Sequence, residues 1–427
     1  MDVKIPDTKN PVLVVHRSAD EIGGNCIEIT FEGHRILLDA GSPLDAPSTD
    51  ANPVPVSLDT TRPVDAVIVS HPHQDHYGLL RGLPESWPVW CGAPTESLMR
   101  LTAALTGDSV PQIVHSYISF SPFAVGPFRI RPLLTDHSAF DAHMILVEVG
   151  GKSVLYSGDF RRTGRKYALV DRMLKSPPRG VDVLLLEGTT LGRSGGFPTE
   201  DDIEARFISL FRDTPGRIFV SWSAQNIDRT VTIYRACKQT GRTLVLDLYA
   251  VDVLERLGEH YDSLPRLGWP RLRAVVTAGV KRLYENPKRM NKPAFIERCC
   301  QSGHAFSAAK IESGPRSNVI MLRPSLLRDY ESKGLTLTKD DAWVFSMWSG
   351  YLDQPEFRSV QSRFDEVGAR FENVHTSGHA SQMDLKQFAA SIGARHLIPI
   401  HSFDWDQHVD DFANVKRLRD GEPFEIV

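Results

Sequence analysis

Cysteine is scarce in this chain: Cys26, Cys91, Cys237, Cys299 and Cys300 are the only five in 427 residues. They are odd in number and none forms a CxxC pair, so neither a disulfide framework nor a cysteine zinc site is indicated. Long apolar runs are missing as well. No stretch approaches the ~20 residues needed to span a bilayer, and the opening MDVKIPDTKN has no apolar signal core. There is no excess of positive charge either. A formal net charge of -4 argues against a bulk electrostatic grip on nucleic acid, although it leaves a local basic groove open. Internal repeats and low-complexity tracts are absent. A cytoplasmic protein without membrane contact is the plain expectation.

The chain is 41% hydrophobic and 24% charged, ordinary values for a globular enzyme. Its length is large for one core and predicts two lobes. Residues 11–40 read as three strands, VLVVH, NCIEITF and HRILLDAG, followed by a polar, proline-rich loop from Ser42 to Pro63. The segment 95–107 reads as a helix, with Thr95 as cap and Gly107 as stop. The runs FRIRPLL, HMILVEV, KSVLYS and DVLLLE are nearly continuous apolar strands, as expected for sheets covered on both faces. Near residue 199 the texture changes to strand and helix in alternation, the pattern of a parallel sheet with crossover helices. The basic segment from Lys281 to Lys292, interrupted by Pro287 and Pro293, reads as an exposed loop or short helix. The run RRTGRK (161–166) reads as solvated surface, and Trp222, Trp343 and Trp348 read as core.

One stretch departs from this ordinary background. VIVSHPHQDHYGLL sets His71, His73, Asp75 and His76 directly after an apolar strand. In extended chain, residues two apart point to the same side, so His71 and His73 can aim at one point; a turn then carries Asp75 and His76 toward a second. Imidazole and carboxylate are the ligands that zinc accepts. Other polar residues share the same context at the end of an apolar run: His137 in LLTDHSAFD, Asp159 in VLYSGDFR and His401 in HLIPIH. Each alone has a mundane reading as a cap or a half-buried histidine. Together they supply enough ligands for two ions.

The ordered set HPHQDH, TDHSAFD and YSGDFR resembles the metallo-β-lactamase fold, an αββα sandwich. The second half resembles the β-CASP nucleases, ribonuclease J-like members in particular, through LLLEGTTLG, HTSGHASQMDLKQF and HLIPIH. The resemblance implies an α/β fold with a first metallo-β-lactamase part at 1–205, an inserted β-CASP α/β domain at 206–372 and a return segment at 373–427. It implies two divalent ions, zinc or else manganese: His71, His73 and His137 on one, Asp75, His76 and His401 on the other, with Asp159 bridging. Asp39 would support the cluster from behind. His379 would give the leaving oxygen its proton, Glu187 would tune it, and His375 and Ser377 would hold phosphate oxygens. Such a site, about +1 after its carboxylates and a hydroxide are counted, attracts an anion and supplies activated water at neutral pH.

The function implied is a ribonuclease that cleaves phosphodiester bonds of single-stranded RNA, with Asp75, His379 and Glu187 in catalytic roles. The alternatives are a hydrolase of the same fold acting on DNA or on a small ester, lactone or cyclic nucleotide, and an inactive RNA-binding scaffold. A homodimer is compatible with the sequence. The chain departs from the ribonuclease J pattern in two places: Ser402-Phe403 stands where Gly-Glu is usual, and the glycine- and proline-rich loop near SMWSGYL is altered.

Overall fold

A computed structural model describes residues 9–44, 54–110 and 114–427. The expectations for the extreme N-terminus (residues 1–8) and for the middle of the Ser42–Pro63 loop (residues 45–53) lie outside the described residues. The chain divides into two compact units. One comprises Met1–Arg100, Ser109–Phe197 and Gly378–Val427; the other comprises Leu101–Asp108 and Pro198–Ser377. The helix Glu200–Asp213 lies wholly in the second unit, so a boundary at 205/206 cuts through it.

The first unit is built on two sheets. The seven-stranded sheet runs, in spatial order, Pro423–Glu425, Val12–Arg17, Cys26–Phe31, His34–Leu38, Ala66–Ile68, Val89–Gly92 and Val114–Tyr117. The six-stranded sheet runs His396–Ile400, Val183–Glu187, Lys152–Tyr156, His143–Val149, Phe128–Leu134 and Phe123–Val125. Alternate residues of a strand face opposite sides, and the core sorts accordingly. Leu13, Ile29 and Ile36 from one sheet meet Ile145, Tyr156 and Leu185 from the other in a single buried cluster. On the outer face of the first sheet, Leu37 and Val67 pack with Leu79, Leu80 and Trp87. On the outer face of the second, Leu155, Leu184 and Leu186 pack with Val170, Leu385, Phe388 and Trp405 of covering helices. Both sheets are therefore apolar on both faces, which is why their strands read as unbroken runs, and the layers form the expected αββα sandwich.

The second unit carries a seven-stranded sheet in the order Ala305–Ser307, Leu272–Val276, Thr243–Asp247, Asn318–Met321, Ile218–Ser221, Ala342–Phe345 and Arg370–Asn373. Every pairing in it is parallel. Its crossover helices start where the sequence signals them: Thr199 accepts from Asp202 N in a capping box, Asn226 from Arg229 N, and Asp247 from Ala250 N.

The basic segment begins in the short helix Ala278–Glu285 and continues as a mostly exposed loop, as expected, and Pro293 opens the next helix, Pro293–Gln301, where proline costs no hydrogen bond in the first turn. Lys292 Nζ is held 2.6 Å from Asp252 Oδ2, so this basic segment is tied to the fold. Trp222 and Trp343 are buried as expected, but the expectation for Trp348 needs correction: it is 51% exposed, just before the 3-10 turn Ser349–Asp353. Among the described residues no helix is long and apolar enough to cross a membrane.

Candidate metal centre

Strand ends of both sheets of the first unit converge on one place. His34–Leu38 delivers Asp39 in the left-handed backbone region, at φ 57°. Ala66–Ile68 leads into Ser70 and His71, after which His73 precedes the one-turn helix Gln74–Tyr77 that carries Asp75 and His76. The second sheet contributes His137 beyond Phe128–Leu134, Asp159 beyond Lys152–Tyr156, and Glu187 as the last residue of its own strand. His401 follows His396–Ile400, also at positive φ, 54°. Parallel register places Ile400 beside Glu187 and so fixes His401 at that strand end.

Donor atoms form two groups that share Asp159: His71, His73, His137 and Asp159, and Asp75, His76, Asp159 and His401; within each, one atom per residue lies within 4.8 Å of the others. His76 Nε2 is 3.2 Å from Asp159 Oδ2 and 3.7 Å from Asp75 Oδ2. His401 Nε2 is 3.8 Å from Asp75 Oδ2 and 3.9 Å from Asp159 Oδ1, while His71 Nε2 is 3.8 Å from Asp159 Oδ2. His137 Nε2 faces His73 Nδ1 at 3.3 Å. Ligand atoms ~2 Å from a tetrahedral ion are roughly 3.3 Å apart, so these spacings suit bound cations.

The buried polar atoms agree. Nε2 of His71, His76 and His401 and both carboxylate oxygens of Asp159 are shut from solvent without a well-aligned hydrogen bond. Leaving such groups unsatisfied costs about 1–3 kcal/mol each, more for a charge. The other ring nitrogens are held. His71 Nδ1 lies 3.0 Å from Ser70 Oγ, His76 Nδ1 2.7 Å from Asp39 Oδ2, and His137 Nδ1 2.5 Å from the Gly378 carbonyl. Nitrogens gripped on the outside and bare on the inside are the arrangement of metal-binding imidazoles. Burial, then the neighbouring imidazoles, hold His71 well below the ordinary histidine pKa, and the same causes act on His137, so both are neutral and present lone pairs. The donor set fits divalent-metal binding.

Beside these groups lies a third: Asp159, Glu187 and His379. His379 Nδ1 is 3.3 Å from Glu187 Oε2 and 3.7 Å from Asp159 Oδ2. Burial works against a charged His379, but the carboxylates of Glu187 and Asp159 outweigh it and push its pKa up to about 9. Glu187 is fully buried and accepts from Thr189 N at 3.1 Å. A Cβ at Gly378 would come within 2.6 Å of Ser138 Oγ, which would have to turn aside.

All the expected metal donors, together with Asp39, Glu187 and His379, are thus assembled in the first unit, whereas His375 and Ser377 belong to the second. The run 161–166 is not simply solvated surface: Arg161 is fully buried, and its backbone N–H donates to the Asp136 carbonyl. Sequence reasoning missed Asn25, Ser70 and Tyr156, which surround Asp39 and His401. The signals were the Gly23-Gly24-Asn25 turn and the polar residue on each side of a strand end.

Comparison with known proteins bears on the whole chain. Residues 34–244 match the "Beta-lactamase superfamily domain", and residues 365–404 match the "Zn-dependent metallo-hydrolase RNA specificity domain". Ribonuclease J of Helicobacter pylori (strain B128) is 24% identical over 409 residues, covering 89% of this chain and 54% of the relative. The chain therefore spans about half the length of that protein. Ribonuclease J of Sinorhizobium meliloti is 21% identical, covering 92% of this chain and 70% of its own, and that of Mycobacterium tuberculosis is 23% identical, covering 90% and 67%. A crystal structure of a protein of unknown function from Enterococcus faecalis V583 has the same fold, with a TM-score of 0.76 and 18% identity over 97% of this chain and 100% of that one. Fold, ordered motifs and relatives agree along nearly the full sequence, and the chain belongs to the metallo-β-lactamase superfamily, among its ribonuclease J-like β-CASP members.

Proposed function

We propose that the chain is a two-metal phosphodiesterase that cleaves single-stranded RNA. The observation that carries this reading is the pair of donor groups sharing Asp159, with the His379–Glu187 pair against the shared carboxylate. His71, His73 and His137 would hold one ion and Asp75, His76 and His401 the other, with Asp159 offering a carboxylate to both. The zinc-dependent metallo-hydrolase RNA specificity domain favours zinc, and the ribonuclease relatives favour RNA. Bound divalent ions supply Lewis acidity that lowers the pKa of water and steadies a phosphate oxygen.

The protein's own groups do the rest. Asp75 lies at the rim of the second donor group, partly exposed, and is placed to orient an incoming water. His379, whose pKa the Glu187 and Asp159 carboxylates push up against the effect of burial, would donate its proton to the departing sugar oxygen. Glu187 holds His379 in that charged form and in place. His375 and Ser377 are assigned to phosphate oxygens.

The test is incubation of metal-loaded protein with end-labelled single-stranded RNA and matched DNA, each bearing a 5′-monophosphate or a 5′-hydroxyl, beside a chelated sample and His379→Ala. RNA cleavage lost in both controls is the expected result. Two bound ions without cleavage of any nucleic acid would move the assignment to a small ester, lactone or cyclic nucleotide.

A further inference from the structure

We propose that Asn25 and Tyr156 are positioning residues that fix the His76 and His401 imidazoles as a matched pair for the second metal position; this rests on the two-metal reading above. A continuous chain of buried contacts joins the two histidines from behind. His401 Nδ1 is 2.6 Å from Asn25 Oδ1, Asn25 Nδ2 is 2.8 Å from the Tyr156 hydroxyl, that hydroxyl is 2.5 Å from Asp39 Oδ2, and Asp39 Oδ2 is 2.7 Å from His76 Nδ1. All five side chains are fully buried.

The direction of every hydrogen bond in the chain follows from its one charged member. A carboxylate only accepts, so Tyr156 must give its proton to Asp39. The Tyr156 oxygen is then the acceptor for Asn25, and the group facing it must be the Asn25 amide NH2. That leaves the Asn25 carbonyl facing His401, which must carry its proton on Nδ1. At the other end, Asp39 likewise requires the proton of His76 on Nδ1. Both rings therefore turn a bare Nε2 toward Asp75 and Asp159, and these are the nitrogens found without partners. The Gly23 amide also approaches His401 Nδ1, but at 3.4 Å it is the longer contact.

The chain also spans the sandwich. Asn25 precedes Cys26–Phe31 and Asp39 follows His34–Leu38 in one sheet, whereas Tyr156 ends Lys152–Tyr156 and His401 follows His396–Ile400 in the other. His401 is thus set by Asn25 of the opposite sheet, and His76 by Asp39 of its own sheet, which Tyr156 of the opposite sheet holds in turn. The histidine pair keeps its spacing only while both sheets keep theirs.

Tyr156→Phe removes one hydroxyl and keeps the ring, and Asn25→Ala opens the chain at a second link. Each variant, and the wild type, is loaded with zinc or cobalt and titrated with a chromophoric chelator, with ion stoichiometry, the cobalt visible spectrum and the melting temperature of metal-free protein recorded alongside. The expected result is two ions in the wild type, and in each variant about 10–100-fold weaker binding of one ion with the other unchanged. The cobalt band of that one equivalent should change, and although the orphaned Asn25 amide lowers the metal-free melting temperature of Tyr156→Phe, the affinity for the other ion should stay at the wild-type value. Two ions held as tightly in both variants as in the wild type would overturn the positioning role alone. Equal weakening of both ions with a lowered metal-free melting temperature would assign the pair to general stability and overturn it as well. Fewer than two ions in the wild type would remove the two-metal reading, and this role with it.

Discussion

Gly41 is the position where the smallest change should do the most damage to the metal centre. It sits behind the ligand-bearing turn, its N–H donating to the Asn25 carbonyl at 2.8 Å while the Asn25 N–H donates to the Asp75 carbonyl at 3.1 Å. A Cβ at Gly41 would stand 1.7 Å from the Asp75 carbonyl oxygen, 2.3 Å from its carbon and 2.8 Å from Asn25 N, all of them backbone atoms that no rotamer change can clear. Real contacts of this kind stay beyond 3.0 Å, so Gly41→Ala must drive the Asp75 peptide back by more than an ångström. Overpacking of this kind costs about 1–3 kcal/mol, and the lost Asn25–Asp75 hydrogen bond roughly 1 more. For a unit of this size that lowers the melting temperature by roughly 5–15 °C.

The effect on metal should be larger in proportion. Ligand distances tolerate only about 0.2 Å, and Asp75 and His76 ride on the displaced turn. Chelator titration and melting of metal-free protein measure the two effects separately. Gly196→Ala, where an added Cβ meets nothing within 4 Å, serves as the neutral control. A Gly41→Ala protein that melts with the wild type and binds metal at wild-type affinity would refute the claim that backbone crowding aims Asp75 and His76.

Two further outcomes follow from charge. Glu187→Gln removes the strongest influence raising the His379 pKa, so the proton is lost at lower pH, and the alkaline limb of kcat on RNA should move down by about one pH unit or more; an unmoved limb would detach Glu187 from the acid. Glu28 is buried between His16 and Arg35, 2.9 Å from His16 Nε2 and 2.7 Å from Arg35 Nε. Burial alone would raise its pKa, but those hydrogen bonds and the Arg35 charge pull it from 4.5 to about 2. A depressed carboxylate stabilises the fold fully above its unfolded pKa and loses that contribution as pH falls through the folded one. About 3 kcal/mol should therefore disappear between pH 4.5 and about 2, and thermal melts of Glu28→Gln should lack that acid limb.

The metal donors were legible because the chain writes them in one grammar: an apolar strand, then a polar residue at its end. Leu38 gives way to Asp39, Ile400 to His401, and Tyr156, three residues on, to Asp159. Burial on both sheet faces makes such strands stand out even without alternation. Asn25 and Tyr156 escaped because their roles lie in which partner each meets, a fact of tertiary geometry that no local pattern encodes. Trp348 escaped for the opposite reason: a large aromatic residue next to a buried strand is core by default, and its turn carries it outward. Pro293, Pro324 and Pro355 each open a helix, and reading Pro293 as a break hid the helix behind it.

The order in which the donors occur along the chain also sets a timetable. His71, His73, His137 and Asp159 are all synthesised before any of the second unit's main segment, Pro198–Ser377. His401 is different: its strand, His396–Ile400, docks beside Val183–Glu187 only after the whole intervening unit has been synthesised. Until then Glu187 has no neighbour on that edge and the second group lacks a ligand. A nascent chain therefore lacks one donor of the second group until the strand His396–Ile400 has been made and has docked beside Val183–Glu187.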